Sequence, residues 1–116
     1  MNRMIWMIVA VGIAIVAAFV FFANRSGLSG TDARSLVTNG ARLVDVRTAE
    51  EFASGHIEGA VNIPVQDLDR RMRELEPASQ PLVVYCRSGM RSRRASQMLR
   101  DQGFTSVHDL GAMSRW

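Results

Sequence analysis

Hydrophobic and polar positions divide the chain into two parts. Residues 4–23 are an apolar run of 20 with no charge, no Pro and one Gly. A helix of that length spans roughly 30 Å, the thickness of a bilayer core. The run therefore predicts one transmembrane helix that anchors the chain as a single-pass membrane protein. Trp6 near one end and Phe21-Phe22 near the other suit the two interfaces. A cleaved export signal is the competing expectation. Its apolar core should cover about 7–15 residues and end in a small-x-small site. Here the run is longer, and Phe21-Phe22-Ala23 places a bulky Phe ahead of the cut. Arg3 and Arg25 flank the run almost evenly, so the positive-inside rule leaves the side of the membrane open. Cleavage would instead export the domain. Residues 24–30 (NRSGLSG) read as a short flexible linker.

From residue 31 the pattern changes to short apolar runs alternating with amphipathic stretches. Residues 32–38 predict a short helix, with Thr31 as N-cap and Asn39-Gly40 as its stop. Leu43-Val44-Asp45-Val46 predicts a buried strand. Thr48 starts the next helix: Glu51 completes a capping box, Glu50 and Glu51 suit the positive end of the dipole, and Gly55 ends it. Residues 60–63 predict a second strand, stopped by Pro64. Residues 67–75 are amphipathic, with Leu68, Met72 and Leu75 on one face. Leu82-Val83-Val84-Tyr85 is the most strand-like run in the chain. Residues 92–102 predict a helix with Ala95, Met98 and Leu99 facing inward and Gly103 closing it, and residues 106–110 a last strand. The alternation implies an α/β domain over residues 31–116, with a parallel sheet between helices on both faces.

Composition sharpens this picture in three places. Mean hydropathy is +0.02, high for a chain with 14 basic and 11 acidic residues, and the excess sits in residues 4–23. The net charge is +3, but from residue 27 onward 12 Arg face 11 Asp and Glu, a balance of only +1. That excess is too small and scattered for a nucleic-acid binder. A single cysteine, Cys86, excludes an internal disulfide, a CxxC pair and a multi-cysteine zinc site, and His56 and His108 lie too far apart in sequence for a metal-ligand pair.

Cys86 lies where α/β sheets place their reactive groups, just past a strand and ahead of a helix. A thiolate facing a helix N-terminus is favoured by the dipole and by unpaired N–H groups. Arg87 and Arg91 add full charges, which should lower the thiol pKa further. Arg91, Arg93 and Arg94 crowd the first turn, where cations are disfavoured by about 0.3–1 kcal/mol each, and a bound anion would offset that. Arg91 closes the loop with the spacing C-x4-R. Cysteine phosphatases use C-x5-R, so this tighter cradle suits a persulfide better than a phosphoryl group.

Leu43-Val44-Asp45-Val46-Arg47, Glu51-Phe52, the GHIEGAVNIP stretch of residues 55–64 and Val83-Val84-Tyr85-Cys86-Arg87-Ser88-Gly89 resemble the rhodanese family of single-domain sulfurtransferases. The match runs from residue 36 to residue 116. The resemblance implies a small, about five-stranded parallel sheet and a cysteine, Cys86, that carries sulfur as a persulfide. The backbone amides of Arg87, Ser88, Gly89, Met90 and Arg91 would cradle the outer sulfur. Asp45 and Arg47 would tie the first strand to the active loop, and His56 would pack in a turn. The chain departs from the family where a Gly-Gly pair is usual near the end: Ala112 follows Gly111, which demands a negative φ at residue 112. The expected reaction takes sulfur from a small anionic donor such as thiosulfate to a thiol, cyanide or protein acceptor. It needs neither a metal nor an organic cofactor. A persulfide carrier tethered beside a membrane partner is the alternative.

Overall fold

The computed structural model describes residues 3–11 and 27–116. Each of the four apolar runs becomes one strand: β1 (Arg42–Asp45), β2 (Val61–Asn62), β3 (Leu82–Cys86) and β4 (Val107–Ala112). All pair in parallel in the order β2-β1-β3-β4. The sheet thus has four strands among the described residues, one fewer than the family resemblance implies. No further apolar run is left in residues 27–116 to supply a fifth, and the chain turns into a short 3-10 turn, Met113–Arg115, straight after β4. Pro64 keeps β2 to two residues. The Asn62 side chain fastens this edge by donating to the carbonyls of Asp45 (3.0 Å) and Arg47 (2.9 Å).

Successive side chains of β3 alternate between two cores. Leu82, Val84 and Cys86 join one with Val44, Ile63, Leu68, Ala95 and Leu99. Val83 and Tyr85 join the other with Ala33, Leu43, Ile57 and Leu110. Helices α1 (Gly30–Thr38) and α4 (Met90–Asp101) therefore cover opposite faces. Burying a leucine such as Leu68 or Leu99 completely contributes about 1.5–3 kcal/mol each. Between β1 and β2 lies α2 (Ala49–Ser54), which keeps the full capping box of Thr48 and Glu51. The amphipathic 67–75 stretch is α3 (Leu68–Arg71) with 3-10 turns on both sides, and it buries Leu68 and Leu75.

Two boundaries differ from the pattern. Ser29, not Thr31, caps α1: it is extended (φ −74°, ψ 157°) and its Oγ accepts from the Asp32 N–H. Gly30 opens that helix and Leu28 packs on the second core, so the end of the linker segment folds with the domain. β4 runs on to Ala112 through an irregularity at Val84/Tyr85, where Val84 faces Asp109 but Tyr85 faces Gly111. The positive φ falls on Gly111 (+84°), while Ala112 sits at −72°.

Residues 3–11 are helical and exposed. No helix among the described residues is long and apolar enough to cross a membrane. Most of the expected span, residues 12–23, lies outside the described residues.

Candidate active site

β3 ends on Cys86, which has no exposed surface. The chain then turns through Arg87, Ser88 and Gly89 and enters α4 at Met90. Gly89 is the N-cap of α4 and holds φ +107°, ψ −17°, a conformation that side-chain-bearing residues rarely adopt. The turn aims the Gly89 N–H at Cys86 Sγ, 3.0 Å away. The N–H groups of Ser88 and Ser92 and the Ser92 hydroxyl also act on the sulfur.

Burial pushes the Cys86 thiol up. The hydrogen bonds from Ser92, Gly89 and Ser88 outweigh it and hold the thiol below the usual cysteine value. The leading causes are thus local hydrogen bonds, not the charges of Arg87 and Arg91 credited from sequence. Ser92 is fully buried and its Oγ donates to the Gly89 carbonyl at 3.1 Å, which fixes the hydroxyl beside the loop.

The expected site residues separate into three groups. Cys86, Ser88 and Gly89 converge on the sulfur. Arg87 and Met90 point into solvent, Met90 at 81% exposure, so they contribute backbone to the loop and leave their side chains outside. Arg91 turns to α2. Its Nη1 and Nη2 donate to the two carboxylate oxygens of Glu51 at 2.6 and 3.0 Å. Arg91 in turn holds the Glu51 carboxyl down at about 2. This fork ties the start of α4 to α2, while the Arg91 charge still acts on Cys86.

Asp45 and Arg47 form a buried brace beneath the loop. Arg47 Nε and Nη2 bind the Asp45 carboxylate at 2.7–3.0 Å, and Nη2 also donates to the Gly55 carbonyl at 2.7 Å. The Arg47 guanidinium lies 5.9 Å from the centre of the Tyr85 ring. The Tyr85 hydroxyl accepts from the Ile57 N–H at 3.1 Å. Burial first, then the Asp45 carboxylate, push that phenol up to about 12. The brace therefore joins the end of β1, the turn after α2 and the residue preceding Cys86. His56 is exposed, stacks on Phe52 with ring centres 3.6 Å apart, and donates from Nδ1 to the Phe52 carbonyl.

Three participants escaped the sequence reading. From its sequence position Ser92 reads only as a helix start, although a serine in the first turn after a cysteine loop is a natural donor. Glu51 was visible as a cap, but its ion pair spans 40 positions. Tyr85 read simply as strand.

A buried thiol of lowered pKa, faced by N–H donors between a strand and a helix, is an arrangement suited to group transfer through a cysteine. The chain belongs to the rhodanese family: the Rhodanese-like domain model matches residues 29–116. It is 38% identical over 110 residues to human thiosulfate:glutathione sulfurtransferase, covering 81% of this chain and 95% of that protein. It is 43% identical over 77 residues to the uncharacterized protein YqhL of Bacillus subtilis, covering 66% of this chain and 60% of that protein. Among solved structures, the human single-domain sulfurtransferase TSTD1 superposes with a TM-score of 0.66 at 32% identity, over 78% of this chain and 90% of that one. The chain is accordingly a rhodanese-type sulfurtransferase.

Proposed function

We propose that the chain moves a sulfane sulfur from a thiosulfate-type anion to a thiophilic acceptor through a persulfide on Cys86. The single observation that carries this reading is the Gly89 N–H 3.0 Å from Cys86 Sγ, in a loop whose donors hold the thiol below its usual pKa. The Cys86 thiolate attacks the outer sulfur of thiosulfate, the donor S–S bond breaks, and sulfite leaves with the bonding pair. The new Cys86 persulfide is an anion, and the preorganised N–H groups stabilise it. Cyanide or a thiolate then attacks the outer sulfur and releases the Cys86 thiolate. Cys86 is closed off from solvent. The relatives named for thiosulfate support this choice of donor.

A steady-state assay of thiocyanate from thiosulfate and cyanide tests the reading. Wild-type protein turns over and Cys86→Ala does not; equal rates refute it. The uncharged run at residues 4–23 supports a membrane anchor for this domain. An anchored protein stays with membranes through alkaline extraction, whereas a cleaved one is recovered soluble with a new N-terminus near Ala23.

A further inference from the structure

Arginines are not spent evenly over this domain. Most hold a carboxylate or a carbonyl: Arg34, Arg42, Arg47, Arg70, Arg71, Arg91 and Arg100 all have partners. Among the described residues, Arg3, Arg73, Arg87, Arg93 and Arg94 have no ion pair and no side-chain hydrogen bond. The last three are exposed and lie within eight positions of one another, on the Cys86 loop and the first turns of α4. That first turn has no acidic residue. Three cations including Arg91 stand at the positive pole of the helix, the reverse of the favoured arrangement. Glu51 offsets Arg91 inside the fold, whereas Arg93 and Arg94 have no such partner, and a local rule left broken there points to compensation from outside.

Beside these arginines stands Met90, 81% exposed, the most exposed large apolar side chain of residues 27–116. Met90, Arg93 and Arg94 line one side of a shallow groove of about 520 Å³ along α4. Asp101, bonded to Gln97 at 2.8 Å, and Asp109 lie among its other residues. An exposed apolar knob one helical turn from two unpaired guanidinium groups has the chemistry to hold an acidic protein chain. Because Met90, Arg93 and Arg94 follow directly on the Cys86 loop, a lipid surface docked there would cover the loop, whereas a docked protein would bring its cysteine to it.

We propose that the face formed by Arg87, Met90, Arg93 and Arg94 docks an acidic protein whose cysteine accepts the sulfur. This rests on the Cys86 persulfide of the preceding section. The acceptor thiol ionises to solvent. Its thiolate attacks the outer sulfur of the Cys86 persulfide, the S–S bond to Cys86 breaks, and Cys86 leaves as thiolate while the acceptor becomes a persulfide anion. No outside oxidant or reductant is needed.

The test uses full-length protein and three peptides of equal length, each with one cysteine flanked by Glu, Ser or Lys. Docking is read by fluorescence anisotropy on Cys86→Ala protein, which cannot form the persulfide. Transfer is read in a single turnover from preloaded wild-type protein. Electrostatic steering predicts that the Glu peptide binds and reacts on the order of tenfold better than the Lys peptide at low salt, with the gap closing near ~0.5 M salt. Arg93→Glu/Arg94→Glu should erase or invert that ratio, while sulfur transfer from the preloaded persulfide to cyanide stays within about threefold. Glutamates suit a first helical turn, so the variant should fold. Equal binding of the Glu and Lys peptides overturns the proposal, as does a ratio the double variant leaves unchanged. A variant that loses only its association with phosphatidylserine vesicles also overturns it, assigning the face to lipid. A docking preference without any persulfide supports the surface and refutes the reaction proposed above.

Discussion

Replacing Ser92 with Ala removes one hydroxyl from the Cys86 thiolate and leaves the backbone donors of Ser88, Gly89 and Ser92 in place. A hydrogen bond to a charged group contributes about 1.5–3 kcal/mol. One pKa unit corresponds to about 1.4 kcal/mol, so complete loss of that bond raises the thiol by about one to two units. The remaining donors tighten on the sulfur, which favours the lower figure, about one unit. The hydroxyl has one proton, shared between the sulfur and the Gly89 carbonyl 3.1 Å from Oγ, which also favours the lower figure. The assay is the pH dependence of Cys86 alkylation by iodoacetamide in wild type and variant. Cys86 is the sole cysteine, so the profile reports one group. The thiolate fraction at neutral pH should fall by up to about tenfold, and kcat/KM for thiosulfate with it. An alkylation profile that does not move would refute the assignment of Ser92 as a donor to the sulfur.

Glu51→Gln keeps the capping function but loses the charge opposite Arg91. The Glu51 carboxyl is held at about 2 in the folded chain. Its stabilising contribution is therefore fully present above the ordinary carboxyl range and disappears as pH falls through about 2. The Tm difference between wild type and variant should be constant above about pH 5 and shrink toward pH 2; a difference independent of pH contradicts the pairing. Asp45→Ala strands the Arg47 guanidinium in a buried site and should cost about 3–5 kcal/mol in urea unfolding. A loss below about 1 kcal/mol, the range of exposed pairs, would remove Asp45 and Arg47 from the structural brace.

What the pattern of residues made legible is local. Leu43-Val44, Val83-Val84 and the capping box of Thr48 and Glu51 announce their elements within a few positions, and the structure keeps them. Gly111 and Ala112 announce where a positive φ is permitted, and the chain places it on the glycine. Cys86 stands out as the candidate nucleophile by its place between a strand and a helix. What stayed hidden depends on distance and direction. Glu51 meets Arg91 only because β1, α2 and α4 bring them to one end of the sheet. Arg91 read as an anion contact because nothing near it in sequence absorbs its charge. Ser92 became a donor to sulfur through the left-handed turn at Gly89, which folds the start of α4 back over Cys86. The fifth strand belonged to the family resemblance rather than to any apolar run within residues 27–116.

The central claim is that Cys86 carries sulfur covalently, and intact-protein mass spectrometry tests it most directly. Purified protein incubated with thiosulfate should gain about one sulfur atom, roughly 32 Da, on the Cys86 peptide, with release of sulfite. Cyanide should then remove that mass as thiocyanate, and Cys86→Ala should gain none. Thiocyanate formed at the wild-type rate with no added mass on Cys86, or by the Cys86→Ala protein, would contradict the account.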